Sequence, residues 1–149
     1  MRNMDSKKRI LVSACLLGKP CRYDGKSKPC QGVIALSDKY DFIEVCPEVA
    51  GGLPTPRTPS ERVNDSVVMC DGKDVTVNYK RGAEFALELC REKSIDIAIL
   101  KAKSPSCGKG QIYDGTFTGR LIRGNGVTAE MLIDNGIKVF TENELELIK

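Results

Sequence analysis

The alternation of apolar and polar positions along this chain marks out elements before any chemistry is considered. Ile10-Leu11-Val12 is a short, partly β-branched apolar run between charges and small polar residues, the pattern of a buried strand. Residues 18–30 are rich in Gly, Pro and charge and predict a loop. Val33, Ile34 and Leu36 predict a short helix over 32–40, and Phe42 to Val45 a second strand. The segment 47–62 holds Pro47, Pro54, Pro56 and Pro59 and predicts a long ordered or functional loop. Ser66 to Met69 and Val75 to Val77 flank Asp71-Gly72, a hairpin signal. Ala83, Ala86, Leu87 and Cys90 fall at i, i+3, i+4 and i+7, one face of a helix over 79–93. Ile95 to Leu100 is a third core strand. Beyond a Gly-rich stretch at 108–126, a helix is expected over Thr128 to Asp134, with Thr128 as its cap and Gly136 ending it. Ile137 to Phe140 is a fourth strand, and Glu142 to Ile148 a terminal helix with Thr141 as cap and Glu144 at capping-box spacing.

Strands thus alternate with helices, which predicts an α/β fold: one Rossmann-like domain over 1–149, with a mostly parallel central sheet flanked by helices. Residues 1–8 read as a flexible N-terminal extension. No repeat, low-complexity tract or linker divides the chain.

Composition changes the picture in two places. The chain has no His and seven Cys. Lack of imidazole excludes most zinc enzymes, His-based nucleophilic triads and ordinary imidazole acid–base chemistry. Metal binding would rest on thiolates, which favour zinc, copper(I) or iron–sulfur clusters. A net charge of +3 is too small and dispersed to argue for nucleic acid, and with 5% aromatics and no Trp a base-stacking platform is not expected. No apolar run nears the roughly 20 residues that span a bilayer. Lys7-Lys8-Arg9 before Ile10-Leu11-Val12-Ser13-Ala14-Cys15 imitates a lipoprotein signal, but its apolar part is shorter than the about 7–15 residues such a region needs. The expected location is the cytoplasm, where cysteines more often mean metal or catalysis than disulfides.

Placed on the predicted elements, Cys15 follows the first strand, Cys46 the second, and Cys107 lies seven residues after the third. Loops at the carboxyl ends of parallel strands share one edge of the sheet, where ligands bind, so topology alone brings these three together. Three thiolates would hold three irons of a [4Fe–4S] cluster and leave the fourth open, beside Lys101, Lys103 and Arg22. Pro and Gly next to these cysteines fix the loops and let backbone approach a bulky ligand. A lone Cys is most often a small buried hydrophobe, and Cys70 and Cys90 are read so. A rival cluster or zinc site from Cys15, Cys21 and Cys30 stays open on spacing, although no C-x-x-C pair marks a zinc ribbon.

Val12-Ser13-Ala14-Cys15-Leu16-Leu17-Gly18, Cys21-Arg22-Tyr23-Asp24-Gly25, Cys46-Pro47-Glu48 with Gly51-Gly52-Leu53-Pro54-Thr55-Pro56-Arg57, and Lys103-Ser104-Pro105-Ser106-Cys107-Gly108 resemble the bacterial thiouracil desulfidase family. The resemblance runs from about Lys8 to the C-terminus and includes Ile112-Tyr113-Asp114-Gly115 and Gly124 to Ala129. It implies a [4Fe–4S] cluster on Cys15, Cys46 and Cys107, a catalytic carboxylate at Glu48 and a catalytic serine at Ser104. Non-redox removal of sulfur from a thiolated pyrimidine would follow, giving the carbonyl base and hydrogen sulfide. The implied partner is that small molecule or its nucleotide, with no membrane and no stable nucleic-acid binding. Arg22 and Arg57 are candidates for a substrate phosphate, Ser106 for a further substrate contact, and Arg62 reads as surface charge. Other functions compatible with the residues are a cluster-dependent dehydratase, a non-catalytic cluster-binding sensor or carrier, and a zinc-stabilised domain.

Overall fold

Ile10, Leu11 and Val12 are all fully buried, in the strand around which the molecule is built. In this computed structural model, which describes residues 7–148, the elements are β1 (Lys8–Ser13), α1 (Gln31–Ala35), β2 (Tyr40–Val45), α2 (Pro47–Ala50), β3 (Ser60–Val63), β4 (Ser66–Met69), α3 (Thr76–Glu92), β5 (Ile97–Leu100), β6 (Gln111–Tyr113), β7 (Leu121–Arg123), α4 (Val127–Asp134) and β8 (Lys138–Thr141). Short 3-10 turns cover Ala14–Leu17, Leu36–Asp38 and Leu145–Leu147. The expected N-terminal extension falls mainly on residues 1–6, outside the described residues; Lys8 already belongs to β1.

The central sheet has the order β2-β1-β5-β8 and every pairing in it is parallel. Successive side chains in a strand point to opposite faces, and both faces here are covered. Leu11, Ala98 and Leu100 pack with Ala86, Leu87 and Cys90 of α3 and Ala129 and Leu132 of α4. Ile10, Val12, Ile97 and Ile99 pack with Val33 of α1 and with Leu36 and Leu145. Double coverage is why these strands are nearly continuous apolar runs. The α/β architecture read from the sequence is the one found. Among the described residues no helix is long and apolar enough to cross a membrane.

Several elements differ from expectation, each for a local reason. The proline-rich segment 47–62 is not all loop: Pro47 opens α2, where a missing N–H does no harm, and Ser60 to Val63 form β3. Ser66 to Met69 pair along their length with β3, through a turn at Asn64, whose φ is 55°. On their other side they meet the expected second arm only as far as Val75: Val68 bridges Asp74, and the Val67 carbonyl accepts the Val75 N–H at 2.9 Å, while 76–77 do not continue as strand. Asp71 and Asp74 instead accept the N–H groups of Lys73 and Thr76, and these Asx turns start α3 three residues early. The Gly-rich stretch contains the antiparallel pair β6–β7. Thr128 does not cap α4: Gly126 holds that position, and the Thr128 hydroxyl is spent on Ser106 at 2.7 Å. The C-terminal capping box begins as read, with Glu144 accepting the Thr141 N–H at 3.0 Å. Only one 3-10 turn follows, because Leu145 and Ile148 are both drawn onto the sheet face that carries α1.

Candidate active site

Chain order and strand order diverge at β1: its connection to β2 runs to one side, while β5 and β8 lie on the other. Such a switch point opens a crevice at the carboxyl ends of the strands. A cavity of about 640 Å³ occupies it, lined by Cys15, Cys21, Cys46, Glu48, Ser104 and Cys107 together with residues of the peripheral segments.

Each thiol is delivered by backbone that has few alternatives. Cys15 lies in the 3-10 turn closing β1, and its carbonyl accepts the N–H of Gly18 and of Lys28. Cys30 N–H bonds Leu16 in the same way. These bonds fold loop 18–30 back over the turn and bring Cys21 to the rim, its thiol within hydrogen-bonding reach of the Cys15 and Cys46 sulfurs. Cys46 precedes α2, and its thiol donates to the Cys21 carbonyl at 3.7 Å. Cys107 is fixed by Ser104, whose Oγ accepts the N–H groups of Ser106 and Cys107 at 3.0 and 2.9 Å. Carbonyls of Pro105 and Ser106 receive the first N–H groups of α4. That staple requires glycine at 126, since a Cβ there would fall on the Ser106 carbonyl.

Crowding and burial push the Cys21, Cys46 and Cys107 thiols up. Cys21 is raised to about 11, first by its hydrogen bond to Cys15, then by burial. Cys107 reaches about 12, chiefly by burial, with hydroxyls of Ser13 and Ser106 acting in the opposite direction on its sulfur. Cys46 is raised further, by Cys21 and by burial. Binding a thiophilic metal group would release the protons of the thiols that ligate it. Among the described residues no three Cys, Asp, Glu or His side chains are arranged to hold a single metal ion.

Glu48 projects from the first turn of α2 into the same cavity. Its Oε2 accepts the Tyr79 hydroxyl at 2.7 Å and lies 3.7 Å from the Arg57 guanidinium. Burial and the Glu48 charge raise Tyr79 far above the ordinary phenol range, so it remains a donor. The rim carries Arg22, held 3.5 Å from Asp24 and over the Tyr23 ring, with Lys28 and Lys103 nearby. Lys101 also lines the cavity but is tied to Glu142 at 3.0 Å. Tyr113 and Phe117 form an aromatic wall from the β6–β7 hairpin. Glu61, buried on β3, holds that wall by accepting the N–H groups of Gly115 and Phe117 at 2.9 and 3.1 Å.

Three comparisons bear on this geometry. The family model described as 2-thiouracil desulfurase matches residues 10–144. The chain belongs to the 2-thiouracil desulfurase family. It is 42% identical over 146 residues to the uncharacterized protein YbbK of Bacillus subtilis (strain 168), covering 91% of this chain and 97% of that protein. The solved structure of the [4Fe-4S]-dependent thiouracil desulfidase TudS is 50% identical, covers 95% of both chains and superposes with a TM-score of 0.90.

In this member of the desulfurase family, Cys15, Cys46, Glu48, Ser104, Cys107 and Arg22 all reach the cavity. Two substrate candidates do not. Ser106 is fully buried, its hydroxyl shared with Thr128 and Cys107. Arg57 lies behind Glu48 with its side chain only 2% exposed, and its guanidinium donates to the carbonyls of Pro54 and Cys21. Arg62, read as surface charge, is mostly buried and bound to the Asn64 and Asn125 carbonyls and to Glu130. Of the rival set, Cys21 lines the cavity, while Cys30 packs into the core below. Cys90 is buried on α3 and Cys70 is exposed beyond β4, both away from the site.

Tyr79, Ser13 and Glu61 are site residues that sequence reasoning missed. Tyr79 falls on the apolar stripe of α3, four residues before Ala83, where an aromatic reads as core. Ser13 accepts the Lys101 N–H at 2.9 Å and turns its hydroxyl to Cys107; only its place between β1 and Cys15 signalled it. Glu61 sat in what read as loop.

Proposed function

We propose that this protein hydrolyses the carbon–sulfur bond of a thiolated pyrimidine, leaving the carbonyl base and hydrogen sulfide, with a [4Fe–4S] cluster held by Cys15, Cys46 and Cys107. What supports this most is that Cys46-Pro47-Glu48 and Ser104 to Cys107 meet at one cavity, in a chain 50% identical to a [4Fe-4S]-dependent thiouracil desulfidase. The donor set fits such a group: soft thiols with no imidazole, opening on a cavity of about 640 Å³.

When bound, the cluster supplies a Lewis-acidic iron that polarises the thione. Glu48 takes a proton from the attacking water. Arg57 and Tyr79 hold its carboxyl group in place for that purpose. The hydroxyl of Ser104, whose oxygen accepts two N–H bonds, relays a proton to the departing sulfur and is reprotonated by the proton that Glu48 took from water. Tyr113 and Phe117 give a flat ring an apolar wall and exclude water from the face they cover. Arg22, with Lys28 and Lys103 lining the same cavity, favours a nucleoside monophosphate over the free base.

The test is an anaerobic assay of reconstituted protein with 2-thiouracil, 4-thiouracil and 4-thiouridine monophosphate, following loss of thione absorbance and release of sulfide. Turnover of at least one, with equimolar sulfide, is expected. A protein carrying four irons per chain that converts none of them refutes the reading. A cluster carrier or sensor is the second reading, and Cys21 favours it as a fourth thiol at the rim. Cys21→Ser separates the two: the enzyme keeps its cluster, whereas a four-thiolate carrier loses it.

A further inference from the structure

Helix α3 touches the Cys46-Pro47-Glu48 segment more closely than side-chain packing allows. A Cβ on Gly82 would fall on the Pro47 carbonyl, and one on Gly51 would fall on the Asn78 carbonyl. Asn78 closes the contact by donating Nδ2–H to the Gly51 carbonyl at 2.9 Å. Residues 78 and 82 therefore lock α3 to α2, and Tyr79 lies between them on the same helix. Tyr79 is 1% exposed, and its hydroxyl reaches the cavity wall to meet Glu48 Oε2 at 2.7 Å.

For packing alone a phenylalanine would serve, since burying a phenol beside a carboxylate costs free energy unless its hydrogen bond is needed. We propose that Tyr79 is the positioning residue for Glu48: it commits Oε2, with Arg57 behind it, and leaves Oε1 to the water in the cavity. Among the described residues Oε1 takes no hydrogen bond, whereas Oε2 faces both partners. Tyr79 acts through Glu48 and exchanges no proton with substrate. The assignment rests on the desulfurase reading with Glu48 as base, and its consequence is specific to the chemical step. A base left to rotate still admits substrate, so turnover falls while substrate affinity holds.

The experiment uses anaerobically reconstituted protein and the thiolated pyrimidine that the wild type converts. Tyr79→Phe is expected to lower kcat about 10- to 100-fold, with KM within about twofold and iron content and cluster absorbance unchanged. In a Glu48→Gln background the same change is expected to lower kcat less than about twofold, because the group it positions no longer acts as base. An unchanged kcat, or an equal fall in both backgrounds, overturns the proposal. So does iron loss in Tyr79→Phe, which would assign the residue to holding Cys46. Inactivity of fully loaded wild type refutes the functional reading instead, and full activity of Glu48→Gln alone refutes the base.

Discussion

Replacing Gly82 by alanine separates helix propensity from active-site construction. On propensity alone, alanine in the interior of α3 should stabilise by about 0.5–1 kcal/mol. The geometry predicts the reverse, because the added methyl lands on the backbone carbonyl of Pro47, which cannot rotate away as a side chain would. Overpacking a tight contact costs about 1–3 kcal/mol, and backbone on both sides places this case at the upper end. A net loss of about 2 kcal/mol remains, equivalent to a Tm lower by about 4–8 °C for a chain of this size. The strain relieves itself by pushing the Cys46-Pro47-Glu48 segment from α3, so Glu48 leaves Tyr79 and Cys46 shifts at the rim. Urea or thermal unfolding of the cluster-free protein measures the first effect. Iron per chain after reconstitution, and turnover of the thiolated pyrimidine, measure the second. A Gly82→Ala protein more stable than wild type, with full iron and activity, would refute this account of how α3 builds the site.

Other expectations are independent of that contact. Serine at Cys15, Cys46 or Cys107 should abolish the cluster's absorbance after reconstitution, while Cys70→Ser and Cys90→Ala should keep about wild-type iron; iron retained in the first three would move the ligand set elsewhere. Glu48→Gln should lower turnover by about 10²–10⁴ with the cluster still bound, checked by rate and iron together. Glu61→Ala frees the Gly115 and Phe117 N–H groups, so KM for the thiolated pyrimidine should rise several-fold with iron content intact. Burial works against the Glu144 carboxylate, but the Thr141 N–H and Lys109 outweigh it and hold its pKa below the ordinary range. Its contribution to stability is therefore full above about pH 4.3, the free glutamate value, and is lost as pH falls through its lower folded value. Urea midpoints of wild type and Glu144→Gln should differ at neutral pH and converge in acid; a gap that widens on acidification contradicts the sign.

How much of this was readable in advance depended on the reach of each interaction. The two inner strands announce themselves because burial on both faces forces continuous apolar runs, Ile10 to Val12 and Ile97 to Leu100, and the edge strands β2 and β8 show in the shorter apolar stretches around Phe42-Ile43 and Val139-Phe140. Their order within the chain then places Cys15, Cys46 and Cys107 at one edge with no knowledge of side-chain contacts. Roles set by distant partners were not readable. Arg57 looks like a phosphate ligand until the Cys21 carbonyl and Glu48 are seen to occupy it. Ser106 looks available until α4 supplies Thr128. Asp71-Gly72 turns the chain as its local signal says, with Val68 bridging Asp74, yet β4 finds its longer partner in a segment whose prolines disguised it as loop. Tyr79 carries no local mark at all, since its hydroxyl matters only once α3 lies against α2.

The aromatic wall of the cavity belongs to neither the sheet nor the helices that carry the thiols. Tyr113 and Phe117 ride on a small ribbon, residues 111–123, fastened by the carboxylate of Glu61 and by close packing of Gly115 against the Val63 side chain. On the proposed reading, the wall that faces the substrate ring is thereby encoded apart from the chain that carries the thiols, while the phosphate-facing Arg22, Lys28 and Lys103 stay on the thiol-bearing loops. Mutations in the ribbon can reshape the ring-facing wall without disturbing a cysteine. A protein built this way offers evolution, or an engineer, a way to retarget one desulfurising centre from one ring to another by exchanging about a dozen consecutive residues.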